Sequence, residues 1–249
     1  QIERTGTMII TSLNNPTIKE ISKLKNKKYR DLTNTYLVEG DHLVEEAYKN
    51  NILTKIILLE DTICNYDIEK IYITKEVMKK LTELDTPNKI IGIVKKNTPL
   101  PIGNKILILD NIQDPGNLGT IIRSSVAFDI DTIVLSPNTV DIYNPKVIRS
   151  TQGMIFYTNI ITLELKEFIN EIKTKNYTIF GTNVRNGKNI KEITLPEKFA
   201  LVLGNEGQGV SKEIESLCDD NIYIKMSSKC ESLNVSVATS ILLYEVYNK

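Results

Sequence analysis

The segment Ile106-Leu107-Ile108-Leu109-Asp110-Asn111-Ile112-Gln113-Asp114-Pro115-Gly116-Asn117-Leu118-Gly119-Thr120-Ile121-Ile122-Arg123 sets the fold class. Its first four residues are an uninterrupted apolar run, the pattern of a parallel strand buried on both faces. Asp110 to Gly116 then makes a polar connection with a Pro-Gly turn, and Asn117 to Phe128 reads as a helix capped by Asn117. Strand, polar loop and helix form the repeating unit of an α/β sheet, whose ligands gather at the carboxyl ends of the strands. The unit recurs downstream. Thr132 to Leu135, Tyr177 to Gly181, Phe199 to Leu203 and Ile222 to Lys225 read as strands, and Asn144 to Ser150, Glu164 to Lys175, Ser211 to Leu217 and Ser232 to Tyr247 as helices. A parallel sheet with helices on both faces is expected over residues 105–249.

Upstream, Asn97-Thr98-Pro99-Leu100-Pro101-Ile102-Gly103 combines two prolines and a glycine without periodicity, which marks a linker over residues 97–104. Residues 8–96 before it alternate again. Asn15-Pro16 with Ile18, Ile21 and Leu24 predicts a helix over Pro16 to Lys28. Tyr36 to Val38, Lys55 to Leu59, Ile71 to Thr74 and Ile90 to Val94 read as strands, with helices at Asp41 to Lys49 and Lys75 to Leu84. This is a second, smaller α/β domain. Met8 has the setting of a natural start, and Gln1 to Thr7 carries no secretory pattern.

Composition narrows the chemistry. The 249 residues are 41% hydrophobic and 25% charged, the balance of a globular protein, and no apolar run reaches the roughly 18 residues of a membrane span. A cytoplasmic protein is expected. Cys64, Cys218 and Cys230 match neither a disulfide framework nor a C-x-x-C pair. With His42 as the one histidine, set at a helix start, a histidine metal centre or a Ser-His-Asp triad has little to stand on. No metal is expected. The net charge is zero, yet Lys19 to Arg30 carries +5 by itself. Lys23, Lys27, Lys28 and Arg30 are therefore candidate phosphate contacts, with a merely solvated face as the alternative.

Two more loops follow buried strands. Gly204-Asn205-Glu206-Gly207-Gln208-Gly209 lets the backbone turn sharply and approach a ligand, but its order is not G-x-G-x-x-G. A nucleotide-dependent oxidoreductase is thereby disfavoured. Ser232-Leu233-Asn234-Val235-Ser236-Val237-Ala238 opens the last helix, and Ser232 reads as its cap.

Taken together, Asp114-Pro115-Gly116-Asn117-Leu118-Gly119 with Arg123, then Gly204-Asn205-Glu206-Gly207 with Gly209, then Ser232 to Ala238 resemble, in order, the three motifs of the SpoU (TrmH-type) RNA ribose 2′-O-methyltransferases. The resemblance covers Lys105 to Tyr247. Val38-Glu39-Gly40 and Val44-Glu45-Glu46-Ala47 resemble the RNA substrate-binding domain that often precedes that catalytic domain. It implies a knotted α/β domain (a trefoil knot) that binds S-adenosylmethionine and works as a homodimer, behind a small ribosomal-protein-like domain. By position, it implies that Gly204, Ile224 and Leu233 contact the cofactor, and that Asn117, Arg123, Glu206, Ser232 and Asn234 form the catalytic set. Asn117 and Glu206 are expected to orient Arg123 and the loop, and Ser232 and Asn234 to fix the ribose or the motif loops. Relatives usually carry a proline after the position of Ile224, where this chain has Lys225. The implied activity is methylation of a ribose 2′-hydroxyl, in rRNA first and tRNA second. The alternative is an RNA-binding protein that keeps the fold without activity.

Overall fold

The structure, a computed structural model, describes residues 2–4 and 6–249, with side chains from Gly6 onward. In chain order it begins with β1 (Ile2–Arg4), β2 (Thr7–Ile10), α1 (Pro16–Ser22), a 3-10 turn (Lys23–Lys25) and α2 (Lys27–Thr33). Next come β3 (Thr35–Glu39), α3 (Asp41–Lys49), β4 (Leu53–Leu59), β5 (Glu69–Ile73), α4 (Lys75–Leu81) and β6 (Ile90–Lys95). The chain continues through β7 (Lys105–Leu109), α5 (Pro115–Ala127), β8 (Thr132–Leu135), α6 (Pro145–Ser150), β9 (Asn159–Thr162) and α7 (Leu165–Lys173). It ends with β10 (Thr178–Thr182), β11 (Lys188–Asn189), β12 (Phe199–Leu203), α8 (Lys212–Glu215), β13 (Asp220–Tyr223) and α9 (Val235–Tyr247).

Two compact units result. The first holds the chain up to Asn97 together with Tyr143–Phe156, and the second holds Thr98–Ile142 with Tyr157–Lys249. The segment Tyr143–Phe156 lies within the stretch expected as one domain from residue 105, but it packs with the first unit instead. There the Tyr143 ring packs tilted, at 41°, with its centroid 4.5 Å from that of the fully buried Tyr36 of β3, and Val147 and Ile148 of α6 are buried.

The first unit is a six-stranded sheet in the order β1-β2-β5-β4-β6-β3. One face packs on α1 and α4 through Ile18, Ile21, Leu24, Val77, Met78 and Leu81. The opposite face takes α3. At Gly92 of β6 a side chain would meet Leu53, Val38 and Val44 within 3.3 Å, so glycine lets α3 approach the sheet. The single helix expected over Pro16 to Lys28 is in fact broken. Asn26 is extended (φ −101°, ψ 131°) and its Oδ1 accepts from the Lys28 amide at 2.9 Å, so it ends one helix and caps the next.

The second unit is a seven-stranded sheet, β11-β13-β10-β12-β7-β8-β9, in which every pairing is parallel. Strands β7, β8 and β12 are nearly wholly buried, as their unbroken apolar runs require. One face packs on α7, whose Leu165, Phe168, Ile169 and Ile172 recur at helical spacing and each contribute roughly 1.5–3 kcal/mol by burial. Helices α5 and α9 pair with each other, joined by Ser124 Oγ and Ser240 Oγ at 2.7 Å. From β7 the chain runs outward through β8 to β9, then returns so that β12 lies on the other side of β7. The loops after β7 and β12 therefore leave the same edge of the sheet as neighbours, the switch point at which ligands of open α/β sheets bind.

Candidate active site

The loop after β12 turns immediately over its own start. Asn205 and Gly209 exchange backbone hydrogen bonds of 3.0 and 2.9 Å, and Asn205 Oδ1 accepts from the amides of Gly207 and Gln208. The fold-back presses onto Gly204, where an added Cβ would stand 2.0 Å from the Gly209 carbonyl carbon and the Val210 nitrogen. Only glycine fits there. The loop is also bolted to the one after β7: Asn205 Nδ2 donates to the Asn111 carbonyl at 2.9 Å, and the Ser211 amide donates to the buried Asp110 carboxylate at 2.9 Å.

Glu206 completes this junction. Its carboxylate accepts from the backbone amides of Gln113 at 3.0 Å and Asp114 at 2.9 Å, and from Asn205 Nδ2 at 3.3 Å. Glu206 therefore holds the backbone in front of α5, the loop it was expected to orient, and makes no hydrogen bond to the Arg123 side chain among the described residues. Hydrogen bonds to a charged acceptor contribute about 1.5–3 kcal/mol. In Glu206→Ala, the Gln113 and Asp114 amides should exchange with deuterium about 10- to 100-fold faster while the sheet amides keep their protection. Unchanged exchange at both amides would show that the latch is absent in solution.

The third loop joins through the helix starts. Asp114, not Asn117, caps α5, its Oδ1 accepting from the Asn117 amide at 2.8 Å; Pro115 occupies the first helical position, where its missing N–H costs nothing. Likewise Asn234, not Ser232, caps α9, accepting from the amides of Ser236 and Val237. Asn117 is thereby left free to accept, at Oδ1, from Asn234 Nδ2 at 3.1 Å. The motif-bearing starts of α5 and α9 are tied side to side.

Between the loops lies a cavity of about 390 Å³, bordered by Gly204, Glu206, Ile224, Ser232 and Leu233. Leu203, Ile222 and Leu242 supply apolar wall, and the connection after β10, Thr182 to Val184, lines it as well. That connection carried no motif, only proximity to a strand end. Arg123 stands apart, exposed on α5 two turns beyond Asn117 and without a hydrogen bond or ion pair among the described residues. Five of the eight expected site residues thus surround one cavity, Asn117 and Asn234 meet beside it, and Arg123 offers a free guanidinium to solvent.

In the first unit the basic run divides. Arg30 is buried, its Nη1 donating to the carbonyls of Leu24 at 3.0 Å and Lys25 at 2.9 Å. It closes the end of the 3-10 turn and is withdrawn as a phosphate contact. Lys27 and Lys96 both bind Asp31, at 2.7 and 2.6 Å, and these hydrogen bonds, Lys27's first, pull the Asp31 carboxyl down to about 2. Lys23 pairs with Glu20 at 2.6 Å, and that hydrogen bond raises its pKa. Lys28 is exposed and its ammonium has no partner among the described residues. His42 is structural: Nε2 lies 3.0 Å from the Gln152 carbonyl.

The chain is similar to known proteins along most of its length. The SpoU rRNA methylase family matches residues 104–244. The MRM3-like substrate binding domain matches residues 15–92. Over 243 residues the chain is 38% identical to the 23S rRNA (guanosine(2553)-2′-O)-methyltransferase RlmP of Bacillus subtilis (strain 168), covering 95% of this chain and 98% of that protein. Among solved structures, an AdoMet-bound rRNA methyltransferase from Sinorhizobium meliloti superimposes with a TM-score of 0.85 at 26% identity, covering 97% of each chain. An RNA 2′-O ribose methyltransferase gives a TM-score of 0.81 at 28% identity, covering 97% of this chain and 98% of that one.

Proposed function

Since the chain belongs to the SpoU rRNA methylase family, we propose that it methylates the ribose 2′-hydroxyl of one nucleotide in ribosomal RNA, with S-adenosylmethionine as donor. The observation that carries this reading is the junction of three loops at one sheet edge, with Glu206 on the Asp114 loop and Asn234 on Asn117, around a cavity of small-molecule size.

The cavity suits the cofactor. Its lining sets apolar side chains such as Val184, Leu203, Ile224 and Leu233 beside polar ones such as Asn183, Gln208 and Ser232, and the bare Gly204 lets the Asn205–Gly209 loop close down on it. Gly204, Ile224 and Leu233 would hold the adenosine by backbone groups, with Ser232 beside them. When bound, S-adenosylmethionine supplies a methyl group already activated on a sulfonium. The protein must then align the ribose with it and assist loss of the hydroxyl proton. Arg123 grips the phosphate 3′ of the target ribose and stabilises the charge that develops on the 2′ oxygen. A guanidinium stays protonated in proteins, so the proton passes to a phosphate oxygen or to water. Glu206, Asn117 and Asn234 act by fixing the loops that frame the ribose. An inert RNA binder has no use for this construction.

The first unit supplies RNA affinity through Lys23, Lys27 and Lys28. The exposed pairs of Lys23 and Lys27 are weak and exchange readily for phosphates. Reversing Lys27 and Lys28 to Glu should weaken RNA binding and lower the slope of log affinity against log salt by about two, read by filter binding. An unchanged slope returns the segment to a solvated face. The protein acts as a homodimer through its second unit, where Val237, Tyr244 and Tyr247 of α9 leave an exposed apolar stripe next to Phe128. It works in the cytoplasm, without a metal. Calorimetry with S-adenosylmethionine tests the reading directly: saturable binding is expected, and no heat at millimolar cofactor would overturn it.

A further inference from the structure

The reaction above makes no use of a second crevice, about 770 Å³, at the same carboxyl edge of the sheet. It opens on the α7 and α8 side of the Asn205–Gly209 loop. Strands β7 and β8 end into it at Asp110 and Ser136, and α7 begins at its rim.

Its chemistry is unlike that of a phosphate site. Lys166 is engaged with Glu213 at 3.5 Å, which leaves Glu164, Glu167 and Asp110 against Lys212. Among the described residues Glu164 and Glu167 have no side-chain partner. An acidic excess repels a phosphodiester and offers acceptors to N–H donors. Pro137 and Val210 line the same crevice as apolar surface, over a floor formed by the buried Leu165 and Ile214. Asn138 contributes a free donor, for its Oδ1 accepts from Ser136 Oγ at 2.6 Å and its carbonyl accepts from Gln113 Nε2, leaving Nδ2 unpartnered among the described residues.

Apolar walls, carboxylates and a free amide, without net positive charge, are the complement of a nucleobase taken by its edge. Resting on the methyltransferase reading, we propose that this crevice holds an unstacked base of the substrate RNA, from a nucleotide neighbouring the methylated one. Guanine fits best, because its adjacent N1–H and N2–H donors meet a carboxylate two-pronged. Occupancy also bears on catalysis. Gln113, whose side chain donates to Asn111 and Asn138 in the crevice wall, donates its backbone amide to Glu206. A base seated against Asn138 braces the loop that carries Asp114 and Asn117.

The full-length protein and its Glu164→Ala and Asn138→Ala variants should be compared with S-adenosylmethionine and ribosomal RNA from cells lacking the gene, after melting curves establish that all three fold alike. The KM for RNA is expected to rise about tenfold in each variant, with cofactor affinity within twofold. Short RNAs spanning the methylated position, each abasic at one neighbour, then identify the base: one abasic RNA should penalise the unsubstituted protein and add no further penalty in Glu164→Ala. Variants with unchanged KM, or abasic penalties equal in both proteins, overturn the crevice assignment while the methyltransferase reading stands. No transfer by the unsubstituted protein overturns both.

Discussion

Arg123→Ala is expected to bind S-adenosylmethionine within about twofold of the unsubstituted protein and to lose 10²- to 10³-fold in methyl transfer. The separation follows from position. Arg123 lies about two turns along α5 from Asn117 and, among the described residues, is not part of the cavity wall and makes no hydrogen bond. Removing it should leave the cofactor site intact and delete only the group proposed to meet the RNA phosphate and the developing alkoxide. Losing one such donor from a preorganised site raises the barrier by about 2.7–4 kcal/mol. Arg123→Lys should recover part of the loss, since an ammonium keeps the charge but not the two-pronged grip. Full activity in Arg123→Ala, measured by single-turnover transfer of labelled methyl, would remove Arg123 from the mechanism.

Gly204→Ala is expected to do the reverse and abolish cofactor binding. The added methyl would stand 2.0 Å from two backbone atoms of the Asn205–Gly209 turn, and backbone cannot rotate away as a flexible side chain does. The turn must lift, breaking the paired bonds between Asn205 and Gly209 and pulling Glu206 from Gln113 and Asp114. Overpacking of this kind costs about 1–3 kcal/mol, and here the strain falls on the cavity wall itself. The affinity for S-adenosylmethionine should fall at least about 100-fold by calorimetry, with β7, β8 and β12 still protected in hydrogen exchange. Wild-type affinity would mean that the turn is not part of the cofactor site.

Much of this architecture was legible because burial writes itself into local pattern. The apolar runs of β7, β8 and β12 have little choice but to be interior parallel strands, and Asp41–Lys49 forms the helix its periodicity predicts. Cap positions slipped where two capping residues compete within a few positions. Asp114 precedes a proline that prefers the first helical turn, so it displaces Asn117 as cap, and Asn234 displaces Ser232 in the same manner. These slips matter, because Asn117, relieved of capping by Asp114, presents its Oδ1 to Asn234. Other features are set by distance in space and leave no local trace. Nothing in Tyr143–Phe156 announces that it packs on the first unit, and the short β9 has too few residues to show alternation. Arg30 follows the same logic: its charge suggests phosphate, but two carbonyls at the end of a 3-10 turn claim it first. Glu206 was legible as a residue that orients the loop, but not its amide partners, which lie more than 90 residues upstream.

The central claim is that this chain places one methyl group on a ribose of ribosomal RNA. It is tested most directly by mapping 2′-O-methylation across the ribosomal RNA of cells with the gene, without it, and with the Arg123→Ala form in its place. A single modified position should disappear on deletion, stay absent with Arg123→Ala, and return when the purified protein and S-adenosylmethionine are added to the unmodified RNA. Identical methylation maps with and without the gene, together with no transfer by the purified protein, would contradict the account.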